Sequence, residues 1–259
     1  MIKIVVTVKQ ILDPTGFTVN RRRERIFVNR EEYIINPADL NALELALRAR
    51  DGNNAVEVIA VGLGPARLDD ALREVIARGA DWAVHISDPA LADLKTDAAG
   101  AARLIAAAVE KIGDVRLVMC GTAALDSGAG ELPGRLAEAL GWPMLAEVYA
   151  IEEISEELLR CSQRPVRCEV SLPALVTVPR HANQPRHIFG VRAMNAYRQN
   201  QVALWGLDDL GVSPADLEPL TCVSGRRFPP ERALGTRLEG SLDEMVASLV
   251  RQLRARELI

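Results

Sequence analysis

The sequence predicts an α/β protein: a mostly parallel sheet with helices on both faces, an antiparallel strand extension, and a C-terminal arm ending in a helix. Three observations predict it. Short apolar runs rich in β-branched residues (Ile2 to Val8, Val56 to Val61, Trp82 to Ile86, Leu117 to Cys120) alternate with segments of helical period. Strand and helix follow one another at the pitch of right-handed strand–helix–strand units. After Trp142-Pro143 the pattern changes to closely spaced strands, and then to a stretch with little periodicity.

Taken in order, Ile2 to Val8 reads as a central strand. Phe17 to Val19 and Ile26 to Val28 flank the charged Asn20 to Arg25 and predict an exposed hairpin; its basic turn is either solvated or a docking patch for an acidic partner. Asn36-Pro37-Ala38-Asp39 is a helix-start signature, followed by Leu40, Leu43 and Leu47 at helical spacing. Val56 to Val61 predicts a strand, Ala66 to Arg78 a helix, Trp82 to Ile86 a strand and the Ala-rich Thr96 to Ile112 a helix. Then come a strand at 115–120 and a helix at 131–140. Glu147 to Glu152, Leu158 to Cys161 and Val166 to Ser171 predict successive antiparallel strands, and Ala174 to Val178 another apolar one. Val191 to Arg198 reads as a short helix or turn. Residues 206–232 read as an extended arm, and 238–259 as a terminal helix with an apolar face to bury.

The totals exclude several classes of function. A 259-residue chain that is 49% hydrophobic and 25% charged has an ordinary globular composition. Its net charge of −4 offers no broad basic field, so nucleic acid is not an expected partner. Cys120, Cys161, Cys168 and Cys222 form no CxxC pair, and the three histidines are too scattered for a metal site. No apolar run approaches a membrane span. Met1 leads straight into a strand, which leaves no signal segment and predicts a cytoplasmic protein. No GxSxG, HExxH or paired Cys/His arrangement marks a catalytic set, so no catalytic residue is assigned.

The most informative stretch runs from Val115 to Gly134. An apolar strand ends at Gly121, small residues follow (Ser127, Gly128, Ala129, Gly130), and Glu131 opens a helix. Backbone N–H groups at such a helix start can hold a phosphate, or the small residues can simply allow a tight connection. Asp126 and Glu131 fit a turn and a helix dipole equally well. Asn36 and Asp39 can cap their helix or hold a nucleotide's polar edges. In an open α/β sheet the ligand crevice lies beyond the carboxyl ends of the strands. Val8-Lys9-Gln10, Gly62 to Pro65 and Gly121 to Glu131 are all expected there.

In this order the segments resemble the β subunit of electron transfer flavoprotein. The matching residues are Val8-Lys9-Gln10, Asn36 to Asp39, Ala42 to Ala46, Val61 to Pro65, Leu72-Arg73, Ala77 to Asp81, Gly121 to Asp126, Trp142-Pro143, Pro173 to Thr177, Asn183 to Arg186 and the tail from Gly235 to Leu253. The resemblance implies an electron carrier on an adenine-nucleotide α-hydrolase-like (HUP) sheet, paired with an α subunit that holds most of an FAD. It implies a buried AMP, or a second FAD in its place. The nucleotide pocket would comprise Thr7, Asn36, Pro37, Ala38, Asp39, Leu63, Gly121, Thr122, Ala123, Ala124, Leu125, Asp126, Ser127, Gly128, Ala129, Gly130, Glu131 and Leu132. A flavin dehydrogenase would dock near Phe189-Val191, and electrons would pass to a quinone reductase or similar acceptor. Residues 1–205 would be the nucleotide-binding domain and 206–259 an arm and helix packing on the α subunit. The chain departs from the family pattern at Thr122-Ala123, at Leu132-Pro133 and at Cys161-Ser-Gln163. A stand-alone adenine-nucleotide-binding module of the universal-stress type is the alternative reading.

Overall fold

The computed structural model describes residues 1–53, 55–93, 97–199, 201–222, 224, 228–230 and 235–259. The expected helix start at Thr96, and the parts of the arm at 225–227 and 231–234, lie outside the described residues. The described residues form two compact units. One comprises Met1–Asn20 and Arg25–Val223, the other Arg21–Glu24 and Ser224–Ile259.

The first unit opens with β1 (Ile2–Val8), β2 (Gln10–Leu12), β3 (Phe17–Asn20), β4 (Arg25–Val28) and β5 (Tyr33–Ile35). Next come α1 (Pro37–Gly52), β6 (Val56–Leu63), α2 (Leu68–Arg78), β7 (Trp82–Ile86), α3 (Ala90–Asp93), α4 (Ala98–Ile112), β8 (Val115–Gly121) and α5 (Glu131–Leu140). Then follow β9 (Met144–Leu145), β10 (Ala150–Ile154), β11 (Leu158–Gln163), β12 (Val166–Ser171), β13 (Ala174–Val178), α6 (Gly190–Arg198), β14 (Val202–Trp205) and α7 (Leu207–Leu210). Seven strands make one sheet in the order β14-β7-β6-β1-β8-β13-β9, parallel throughout. Strands buried on both faces need no polar alternation, and Ile4, Val5, Val6, Val58, Ile59 and Ala60 are all fully buried. One face packs Leu43 and Leu47 of α1 with Leu72 and Val75 of α2; the other packs Leu104 and Ile105 of α4 with Leu136 of α5.

The expected strand–helix alternation is present, with three differences of detail. Glu147 to Tyr149 is not strand. Glu147 takes a positive φ of 55°, and the Glu147 and Val148 N–H groups bind Thr177 at the edge of β13 instead. The antiparallel sheet is therefore β10-β11-β12, beginning at Ala150. β14 went unpredicted because its apolar run, Val202 to Trp205, is only four residues long and sits at the sheet edge, where it pairs with β7. Residues 206–217, expected as part of an extended arm, pack on the sheet's α4 side. Leu207 and Leu217 are buried there, the Asp216 carbonyl accepts from Arg103, and the Asp97 carboxylate accepts from Leu220 and Thr221 N–H.

In the second unit, α8 (Leu242–Ala255) starts with a reciprocal cap. The Ser241 N–H donates to Glu244 Oε2 at 2.8 Å, and the Glu244 N–H donates to Ser241 Oγ at 3.4 Å. α8 buries no residue, and Leu242, Val246 and Leu249 form an exposed stripe.

Candidate functional site

The chain leaves β1 in one direction to β6 and β7 and returns on its other side to β8 and β13, so the strand order reverses at β1. That reversal is where loops diverge and a crevice opens at the carboxyl ends of the strands. Register puts Val8 beside Gly62 and Val6 beside Met119, so the turns after β1, β6 and β8 emerge side by side. The three segments expected at one rim are brought there.

The predicted pocket residues separate into three tiers. Thr7, Asn36, Ala38, Asp39 and Gly121 are buried and form a floor. Pro37, Leu63, Thr122, Ala123, Ala124 and Leu132 are half-buried, whereas Leu125, Asp126, Ser127, Gly128, Ala129, Gly130 and Glu131 form an exposed edge. Asn36 occupies the N-cap position of α1 but makes no cap bond with its side chain. Its amide reads the β8 loop instead. Nδ2 donates to Asp39 Oδ1 at 2.9 Å and to the Ala123 carbonyl at 3.2 Å, and Oδ1 accepts from Leu125 N–H at 3.1 Å. The Asp39 carboxylate accepts from Lys9 N–H at 2.9 Å and from Gly121 N–H as well. Both side chains are thus committed to neighbouring backbone, and they join three turns.

Burial is the dominant influence on Asp39. Desolvation lifts its carboxyl to about 7, outweighing the hydrogen bonds from Lys9, Asn36 and Gly121 that favour the anion. Beneath it, burial pushes the Cys120 thiol up to about 12, against the effect of a hydrogen bond with Thr7. Cys120 is therefore an inert apolar side chain in the sheet. At the mouth, Lys9 Nζ holds Asp126 through both oxygens, at 2.9 and 2.7 Å. Partial burial raises the Asp126 carboxyl, but the Lys9 hydrogen bond and charge outweigh it and hold the group below its ordinary value.

The free edge suits an anion. Gly130 caps α5 with no side-chain acceptor, and Gly128 and Gly130 both lie in the left-handed region, at φ 65° and 64°. A Cβ on Gly128 would meet nothing within 4 Å. The Gly128 N–H donates to the Ala124 carbonyl at 2.8 Å and the Ser127 N–H to the Asp126 carboxylate, so an anion would meet the uncapped helix start from Ala129 onward. Pro133 offers no N–H but sits within the first turn of α5, where a proline is tolerated. Gln10 adds a polar feature of the opposite kind. Its Oε1 is the one buried side-chain N or O atom without a hydrogen-bond partner among the described residues, an arrangement that costs free energy unless a donor arrives. Lys9 and Gln10 were legible as part of a rim segment, but their individual roles depend on contacts that sequence spacing does not carry. Among the described residues no group of three or more His, Cys, Asp or Glu could hold a metal, and no helix is long and apolar enough to cross a membrane.

Comparison with known proteins agrees with this arrangement. The electron transfer flavoprotein domain family matches residues 25–210. The chain is 31% identical over 264 residues to the caffeyl-CoA reductase-Etf complex subunit CarD of Acetobacterium woodii, covering 99% of this chain and 100% of that one. It is 31% identical over 265 residues to the electron transfer flavoprotein subunit beta of Thermoanaerobacterium thermosaccharolyticum, covering 99% of each. The human electron transfer flavoprotein subunit beta is 28% identical over 252 residues, covering 96% of each. With the sheet, the crevice and near full-length similarity in place, the chain belongs to the electron transfer flavoprotein family, in the role of its β subunit.

Proposed function

We propose that this chain pairs with a flavin-bearing α subunit and relays electrons from a flavin dehydrogenase to a quinone reductase or similar acceptor. The observation that carries the reading is similarity to β subunits along nearly the whole chain, tail included. An FAD held mostly by the α subunit accepts and returns the electrons, since isoalloxazine chemistry belongs to the cofactor. The residues here bind and orient. In the rim crevice, the N–H groups of 129–132 would meet an adenylate phosphate, with the Lys9 ammonium close by through its contact with Asp126. Asn36 and Asp39 hold the loop in shape by the bonds described above. Gln10 Oε1 would take a donor from the ligand or the partner. The nucleotide is AMP, or a second FAD. The dehydrogenase would dock on the exposed Phe189-Val191 segment. The tail of the second unit would grip the α subunit through the apolar stripe of α8.

The test is co-expression with the α subunit, followed by a visible spectrum and mass spectrometry of nucleotide released on denaturation. A flavin spectrum with AMP, or with a second equivalent of FAD, is expected. A purified complex with neither flavin nor adenine nucleotide would overturn the reading.

A further inference from the structure

Two cysteines stand opposite one another in the small antiparallel sheet. β11 and β12 pair so that Cys161 meets Cys168 directly, between the pairs Arg160 with Glu169 and Ser162 with Arg167. Side chains directly opposite share one face of a sheet. The Cα atoms of such a pair lie about 4.5 to 5.5 Å apart, within the range of about 4.4 to 6.8 Å that a disulfide spans. Both residues are free thiols. Burial sets the register, because a slip by one residue would turn Leu159 and Cys161 out of the core. On the outer face one guanidinium spans all three strands: Arg160 donates to Glu153 of β10 at 2.6 Å and to Glu169 of β12 at 2.8 Å.

The two thiols differ in access. Cys161 is fully buried beside Leu159, whereas Cys168 is half-buried and packs against the same cluster. Burial first, and the neighbouring Cys168 next, push the Cys161 thiol up to about 11, so it does not react with solvent-borne reagents by itself. The Cys168 S–H donates to Gln163 Oε1 at 2.7 Å, and Gln163 Nε2 donates to the Ala146 carbonyl. The remaining cysteines are elsewhere: Cys120 belongs to the cluster on the other face of the large sheet, and Cys222 is exposed. A lone buried cysteine serves as a small apolar side chain. A directly opposed pair with one sulfur open to solvent has a further chemistry available.

We infer that Cys161 and Cys168 form a modification site at which a peroxide makes an intramolecular disulfide and a thiol reductant reopens it. The Cys168 sulfur attacks one peroxide oxygen, the O–O bond breaks, and Cys168 becomes a sulfenic acid as water leaves. The Cys161 sulfur then attacks the Cys168 sulfur, the S–S bond forms, the S–O bond breaks, and a second water leaves. Two thiols give up two electrons and two protons, and one hydrogen peroxide is reduced to two waters. A peroxide fits because a half-buried sulfur admits a small oxidant more readily than a bulky disulfide. The bond locks the β11–β12 hairpin and takes the S–H donor away from Gln163, which releases the tie to Ala146. None of this depends on the heterodimer proposed above.

The test treats the folded full-length chain carrying Cys222→Ser with hydrogen peroxide. It is then unfolded in iodoacetamide, and its mass and peptides are read without reduction. Cys120, Cys161 and Cys168 remain in that chain. The expected result is a mass lower by two hydrogens, a peptide pair joined through Cys161 and Cys168, alkylation at Cys120 alone, and full reversal by dithiothreitol. The oxidised chain is also expected to unfold several degrees higher than the reduced one, since the cross-link constrains the unfolded chain. With Cys168→Ser added, Cys161 is expected to stay alkylatable after peroxide; if that variant does not fold, the first chain decides alone. Cys161 still alkylated in the first chain, with Cys168 either intact or carrying added oxygen, overturns the inference. So does a bond between two chains or to Cys120, an oxidised chain that unfolds earlier, or loss of the Cys161 thiol when Cys168 is absent.

Discussion

Asp39 is a carboxyl at the centre of three turns, with no cation of its own. The ammonium that acts on it among the described residues, that of Lys9, is bound to Asp126. In the unfolded chain such a group titrates near 4; in the fold it is raised to about 7. Between these values the folded chain holds a proton that the unfolded chain has released. The group's stabilising contribution is therefore complete below pH of about 4 and is lost as pH rises through 7. Asp39→Asn removes the titration. Urea unfolding at pH 5 and pH 8 is expected to show the wild type losing on the order of 2–3 kcal/mol more than the variant over that interval. Equal slopes would show that Asp39 is ionised throughout. By contrast the Lys9–Asp126 pair is substantially exposed and contributes little to stability. Its place is to hold the loop edge against the end of β1.

At the scale of elements, the loop from Gly121 to Glu131 works because its first residue has no side chain. A Cβ on Gly121 would lie 2.7 Å from Ala38 Cβ and 2.9 Å from the Ala38 backbone carbon, and would press on the Asp39 carboxylate. None of these can move without shifting the start of α1. Gly121→Ala is expected to cost about 3 kcal/mol of stability, seen as a lowered midpoint in thermal unfolding, and to loosen the Asn36–Leu125 bond. An unchanged midpoint would mean that α1 and β8 are not packed this tightly. The beginning of this loop is buried or half-buried and tied to Asn36; its end, from Ser127 to Gly130, is exposed.

For the whole molecule, the issue is which apolar surfaces remain after the core is built. The sheet and its helices are saturated, with Leu43, Leu72, Leu104 and Leu136 fully buried. α8 is not: Leu242, Val246 and Leu249 stay exposed, although its capping box shows that the helix is specified locally. A chain lacking residues 236–259 is expected to keep the thermal stability of its first unit and to lose co-purification with the α subunit. A complex that survives the deletion would remove the tail from the interface.

The strand–helix order, the covered parallel sheet and the chain positions of the rim turns were legible in residue periodicity alone. Apolar runs and helical stripes report burial directly, because burial is what selects them. Short elements were not legible in this way. β14 becomes a strand only by adding to β7, and residues 206–217 become core only because α4 presents a surface for Leu207 and Leu217. The site divides similarly. That Asn36, Asp39 and Gly121 belong to one crevice could be anticipated from their order in the chain. That Asn36 binds the β8 loop rather than capping α1, that Asp39 is buried among backbone donors, and that Lys9 reaches Asp126 were decided by the tertiary structure. These bonds join residues about 30 to 117 positions apart, and no local pattern records which distant donor will meet which acceptor once the strands have paired.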